Sequence, residues 1–595
     1  MSQMTRLAST GGVLLTLCGA LIGCSARTYV SGTGSTPSQF THVYITTQEV
    51  WFNTSSNASA DSSGWAKFPL KTPVTIDLVQ ESNGTLGQIV GDLQVAPGTY
   101  NTILLMPLPN AASGATASAS ALGAANNLEA DFVDMTGTAH SVPLILPNPE
   151  KGIVVPGASL KVPVGGSVGL PTGTTSTTGT NSTTTSTTSS STSKTVTVSF
   201  ATTFDGNRDL HLFTYPKSAT QGVLLSSNPA ASDLSTTGGI SGTLTLTSLT
   251  AINAVSDRVG IQACAELLST DGTHHVVVAC APVQTDGTFT IYPLPSNSKT
   301  PTVYDVVIHG FGIQTIIIKS VSVATTTPTI AAAANTTGAV ATTTATGAVS
   351  VGTFIPNSSY ISGSSTSKGW FYVSLNTPNT PLPAGTAITF YQTLPGANEV
   401  PYAIDEVGID PFNQSLQTVE PLASPSIESG TYSSSGTTIT VTSSQPVEGA
   451  STYSVGATAP LFADAAIGGS KAIPSTTSTT FYSTNPAAAP TSGLVPVSAP
   501  TLTPANSAGA GSISATIAMG AYTQGELLVS HNGAVIGSAL ISGGAATVNG
   551  LPSGDGSYYL SAILWNTGDE GNSVYQSSTA PVTVTAGNTT QAAVN

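Results

Sequence analysis

Residues able to do chemistry are scarce in this chain and can be weighed one at a time. Asp205-Gly206-Asn207-Arg208-Asp209 sets oxygen ligands at alternate positions, as a calcium loop begins. The glycine at the sixth position and the distal bidentate glutamate of an EF-hand are missing, and Arg208 adds an opposing charge, so a plain loop is the preferred reading. Glu399, Asp405, Glu406 and Asp410 cluster with Tyr391, Tyr402 and Phe412. Two carboxylates flanking a sugar would make a glycosidase. Closeness in sequence does not pair them in space, and a solvated acidic loop is the preferred alternative. Gly165-Gly166-Ser167-Val168-Gly169 matches a nucleophile string that needs a strand, a sharp turn and a helix; here it opens a Ser/Thr tract and reads as chance. His42, His140, His211, His274, His275, His309 and His531 show no zinc spacing, and His274-His275, beside a hairpin turn, is expected on a solvated edge. The expectation is a protein that is not an enzyme, with no catalytic residues, no metal and no cofactor.

The cysteines carry more. An apolar run from Val13 to Ile22 follows Arg6, the pattern of a secretory signal peptide, and it is too short to span a bilayer. Its end, Leu21-Ile22-Gly23-Cys24, resembles the bacterial lipoprotein lipobox. That resemblance implies removal of residues 1–23, lipid on Cys24, and a membrane partner reached through that lipid. It implies a cell-envelope location, and Ser25 implies the outer membrane if the host is Gram-negative. Cys18 leaves with the signal peptide, so Cys264 and Cys280 remain as an even pair in an oxidising compartment. Asp271-Gly272 between them is a hairpin turn signal. The even separation needs an odd loop or one bulge to bring the two directly opposite, where a disulfide is expected rather than two small buried thiols.

Composition sets limits. The 595 residues make several domains. Only 7% are charged, against about 25% in ordinary domains. With 14 basic and 29 acidic residues the net charge is -15, which excludes nucleic acid and disfavours anionic lipid surfaces as partners. At 39% hydrophobic the chain can build cores, though its Ser/Thr tracts cannot.

The elements expected to position these residues are strands. His42 to Phe52 mixes β-branched and aromatic residues at about period two. Gly64-Trp65, Ile76-Asp77-Leu78, Pro97-Gly98-Thr99-Tyr100 and the strand ending Phe204-Asp205 follow in order. This order resembles a family of bacterial lipoproteins whose shared domain has no known function, and it departs from the pattern at Thr203. The resemblance implies a β-sandwich-like domain over 40–229 and supplies no catalytic residues. Residues 24–39 read as a polar tether, 111–127 as a small-residue insertion, and 165–194 as a disordered Ser/Thr insertion.

Gly239-Ile-Ser-Gly-Thr-Leu244, Asp286-Gly287-Thr288-Phe289 and Leu294-Pro295 resemble a carboxypeptidase-regulatory-type or starch-binding-like sandwich over 238–323. An Ala/Thr linker (324–349), a third β domain (350–483), a Pro-rich linker (484–506) and a C-terminal sandwich (507–595) complete the reading. Tyr100, Tyr304, Tyr453 and Tyr558 each open an alternating strand, three of them after a loop with Pro97, Pro295 or Pro552. A corner tyrosine bonding backbone across its loop is the expected role. No helical period appears after the signal peptide, so no core helix is expected. The predicted class is all-β, with tandem antiparallel β-sandwich domains joined by low-complexity Thr/Ala/Pro linkers. The predicted role is non-enzymatic presentation of modules to a polysaccharide or an envelope protein, with carbohydrate binding as the alternative and glycoside hydrolysis as the remote one.

Overall fold

A computed structural model describes residues 26–595 apart from 111–113, 135–136, 164–195, 227, 246–259, 311–314, 332–341, 355–370, 377–381, 394–398, 414–417, 423–426, 436–437, 444–450, 464–467, 474–494, 499–500 and 579. Cys24, the signal peptide, the Gly165–Gly169 string and the Ser/Thr insertion lie outside the described residues.

The described chain is almost entirely strand, in several separate sheets. In the first region the long strand Phe40–Asn53 pairs with Ala66–Asp77 along one side. Along its other side it pairs first with Leu128–Val133 and then with Gly98–Pro107. Its inward aromatic Phe52 meets Phe68 and Tyr100 edge-on at ring distances of 5.9 and 5.6 Å. With Phe40, Phe132, Phe200 and Phe204 these rings form the first core. Each fully buried aromatic contributes about 1.5–3 kcal/mol relative to exposure.

Residues expected to be tether and linker are paired strands. Ala26–Ser35 lies between Thr85–Val95, antiparallel, and Thr197–Asp205, parallel. Its glycines concealed it, since they leave no side-chain alternation to read. At Gly32 a Cβ would sit 2.4 Å from Ile76 Cδ1, so the core packs directly on the backbone there. The Ala/Thr stretch at 324–349 contains the hairpin Thr327–Ala331 and Thr342–Thr346, which adds to the open edge of Thr85–Val95. Its threonines suit a pleated surface once an edge is available.

The boundary at 350 also moves. Val349–Phe354 runs parallel to Thr237–Leu244 in the second region, and Ile427–Ser435 runs parallel to Thr315–Val323. Val495–Ser498, inside the expected Pro-rich linker, pairs with Phe371–Asn376. The all-β class with several separate antiparallel sheets, as tandem sandwiches require, is what the structure shows, and strands of neighbouring regions also pair with one another. Separate cores sit in the first, second, third and fourth regions. The third core includes Val307 and Ile317 from the second region. Helix is confined to short turns, among them Ala117–Ala121 and Gly206–Asp209.

The corner tyrosines are structural. Tyr100 Oη donates to the Ala96 carbonyl at 2.9 Å, and Tyr304 and Tyr558 donate to the carbonyls of Pro295 and Pro552. Tyr453 is buried in the third core. In the second region Cys264 stands opposite Cys280 and the two form a disulfide. The register shifts between Ala265 and Glu266, skipping Val278, and this bulge places the cysteines face to face.

Three measurements check these contacts. Tyr304→Phe removes the hydroxyl that donates to the Pro295 carbonyl and should cost about 0.5–1.5 kcal/mol in urea unfolding. The Cys264→Ala/Cys280→Ala double variant reopens the 16-residue separation and should lose about 3 kcal/mol by the loop-entropy estimate. Unreduced peptide mapping should recover the two cysteines in one linked species.

Candidate functional site

The strand Thr197–Asp205 ends in the short turn Gly206–Asp209 and the chain re-enters sheet at Leu210–Thr214. The turn is forced by space: a Cβ at Gly206 would lie 2.3 Å from the Ser35 carbonyl oxygen. Its side chains then point to different regions of the molecule. Asn207 Nδ2 donates to Gln262 Oε1 at 3.0 Å, and Gln262 Nε2 returns a bond to Asn207 Oδ1 at 3.2 Å, a closed amide pair with the second region. Arg208 reaches the third region, with Nη2 donating to Thr458 Oγ1 at 3.0 Å and Nε 3.8 Å from Glu406 Oε1. Asp209 turns back and accepts from the Asn228 amide at 3.2 Å. The oxygens at alternate positions do not converge, so the turn is not a calcium loop. Among the described residues no group of three or more His, Cys, Asp or Glu is placed to hold a metal.

Asp205, Arg208, Asp209, Ser226, Asn228 and Thr458 line a cavity of about 140 Å³ between the first and third regions. Gly385 closes it at φ +76°, where an added Cβ would meet the Val535 carbonyl oxygen at 2.1 Å. The Val535 amide in turn donates to Ser226 Oγ at 2.9 Å, so the fourth region seals the same joint.

The acids at 399–410 are not a solvated loop. Tyr402–Gly408 is a strand, and the Glu406 side chain within it is 7% exposed. Nor do the four carboxylates act on one point. Glu399 takes Lys319 at 3.2 Å, Asp405 accepts from the Glu406 amide, and Glu406 accepts from Thr389 Oγ1 at 2.9 Å. Asp410 accepts the Phe412 amide at 2.8 Å and the Thr214 amide at 3.3 Å. His275 is likewise buried rather than at a solvated edge. Its ring stacks on Tyr402 at 3.9 Å, with Nε2 3.4 Å from Asp305 Oδ2.

Electrostatics concentrate at this joint. Burial raises Asp205 and Asp209, Arg208 pulls both down, and Asp205 pushes Asp209 up further. Burial likewise raises Glu406, against the pull of Arg208. Glu266 sits fully buried in the second region, accepting the Ala403 amide at 3.3 Å, and is pushed up by burial and by Glu406 and Asp305. Sequence reasoning passed over Glu266 and Glu526, and weighed His211 only as a zinc ligand. The available signal was a lone ionisable residue inside an apolar strand, as in Ala-Cys-Ala-Glu266-Leu-Leu and Gly-Glu526-Leu-Leu-Val, in a chain with few charges.

These shifts fix a pH dependence. Burial lowers His211 and His309 to about 4, so the folded state binds fewer protons than the unfolded one between there and the ordinary histidine range. Stability supplied by this term rises with pH up to about 6.5 and is flat above it. Burial raises Glu526 to about 8, so the folded state binds more protons there and stability falls as pH climbs from the carboxylate range to about 8. Above about pH 6.5 the histidine term is flat, and the raised carboxylates, Glu526 and Glu406 among them, should make the melting midpoint fall toward pH 8. Glu526→Gln should flatten that fall in calorimetry. Arg208→Met should destabilise more at alkaline than at acid pH, because at acid pH Glu406 can take a proton instead of remaining an unpaired buried charge.

No curated protein matches the chain. One solved structure, described as "Crystal structure of tetra-tandem repeat in extending region of large adhesion protein", aligns over 94% of this chain and 100% of its own at 10% identity and a TM-score of 0.09, too low to carry an argument. The turn that organises the joint ends a stretch with a family match: residues 28–209 match the model of the family described as "Domain of unknown function (DUF4382)".

Proposed function

We propose that this chain is a non-enzymatic lipoprotein of the bacterial cell envelope. In this reading Cys24 carries the lipid, and the joined β regions present a rigid surface to a polysaccharide or an envelope protein. The observation that carries the reading is Leu21-Ile22-Gly23-Cys24 at the end of a short apolar run. Two structural facts support the presenting role. The first strand begins at Ala26, so only Ser25 separates the acylated position from folded sheet. The body would then stand directly on the membrane with little freedom to swing. Strand exchange between regions also makes the body one scaffold rather than flexible beads. The separate engagement of Glu399, Asp405, Glu406 and Asp410 supports the non-enzymatic part, since a glycosidase needs two carboxylates facing one bond.

Cys24→Ala should abolish metabolic palmitate labelling and release the protein from the membrane fraction, while unchanged labelling would sink the assignment. A glycan array probed with the mature ectodomain separates the partner classes. Retention of one glycan class selects polysaccharide, and turnover of a bound glycan would overturn the non-enzymatic reading.

A further inference from the structure

The joint around Arg208 holds more acid than its cations can neutralise. Asp205, Arg208 and Asp209 reach it from the first region. Glu266 and Asp305 reach it from the second, with His275 and Lys319 behind Asp305 and Glu399. Glu406, with Tyr391 and Tyr402 beside it, comes from the third. His211, on the strand packed under Gly408, gives Nδ1 to the Ile409 carbonyl at 2.8 Å. Were Asp205, Asp209 and Glu406 all ionised, Arg208 would face three negative charges, with Glu266 a fourth beside Glu406. Two of these acids each keep one oxygen with no hydrogen-bond partner among the described residues: Glu406 Oε2 and Glu266 Oε1. Both side chains are more than nine-tenths buried and approach the joint from opposite regions. An ionised carboxylate left so would be strongly penalised; a protonated one would not.

We infer that the joint is a proton-dependent latch, in which the packing of the third region against the first is held by protons retained on the buried carboxylates beside Arg208 and is released when they are lost. The raised proton affinities of Glu406 and Glu266 are in keeping with this. Opening hydrates the acids together while leaving intact the strand pairing and the core that the third region shares with the second, so the change is one of arrangement and not of secondary structure. The inference goes beyond the envelope reading and does not depend on lipid at Cys24.

Small-angle scattering of the full mature chain, titrated from about pH 6 to about pH 9 with far-ultraviolet circular dichroism on the same samples, tests it. The expected result is a reversible rise in radius of gyration at constant dichroism. Glu406→Gln and Glu266→Gln, each a neutral isostere, should make the rise less steep and move it to higher pH, because each removes one releasable proton. A radius of gyration constant over the range would overturn the latch. So would a rise that coincides with loss of β dichroism, or one that keeps its midpoint and steepness in both variants.

Discussion

Arg208 is the cation that Asp205, Asp209 and Glu406 share, and the way the regions meet depends on it. Its planar guanidinium serves two partners in different directions, Thr458 and Glu406. A lysine ammonium is a point charge and could not hold both in a fixed geometry. The contact is not a source of net strength. Removing charges from water costs several kcal/mol per ion and the pair returns about as much, so an apolar replacement of the whole set could be as stable. What Arg208 supplies is position: it fixes where Tyr402–Gly408 lies against the turn Gly206–Asp209.

Strength at the joints comes from elsewhere. A mixed core of Phe213, Tyr215 and Leu224 from the first region, Ala384 from the third, and Leu528, Val535, Ile563 and Trp565 from the fourth is buried between them. Phe213 packs on Phe412 at 4.3 Å and Tyr215 edge-on to Trp565 at 5.0 Å. Burial of such rings, at about 1.5–3 kcal/mol each, outweighs exposed ion pairs at about 0–1 kcal/mol. Backbone pairing adds to this where Thr342–Thr346 extends the first sheet and Val349–Phe354 the second. Adjacent residues of the same stretch thus bind two different regions.

The all-β class was legible because alternation and turn residues are local signals. The corner tyrosines were legible for the same reason: Tyr100, Tyr304 and Tyr558 bond carbonyls four, nine and six residues away. Cys264 and Cys280 could be set opposite each other because one hairpin contains both. What could not be read was anything whose partner lies far along the chain. His275 looks solvated beside its turn until Tyr402, more than a hundred residues on, stacks against it. Thr327–Ala331 reads as linker because its pairing with Thr342–Thr346 matters only if the edge of Thr85–Val95 is open to receive the hairpin. Glu406 and Arg208 reveal nothing of each other across their separation in sequence. Composition marks where chain is cheap to order alone, and strand pairing with a distant edge supplies the ordering that composition cannot foresee.

The scarcity of charge gives those it keeps a common use. Lys151 lies 2.8 Å from Asp61 within the first region, while Tyr559 of the fourth donates to the same carboxylate at 2.8 Å. Thr220 donates to Glu570 across the same pair of regions at 3.1 Å, and Lys319 meets Glu399 between the second and third. Apolar faces alone slide, because burial is non-directional and many relative placements exclude similar area from water. A few polar contacts with fixed geometry reject most of those placements, since a shifted joint would leave Glu406 or Glu266 buried without the partners it has. In a chain with few other charges to mispair with, each such contact discriminates more sharply. A sequence poor in charge can therefore still specify one arrangement of several sandwiches, provided its remaining acids and bases sit at the joints.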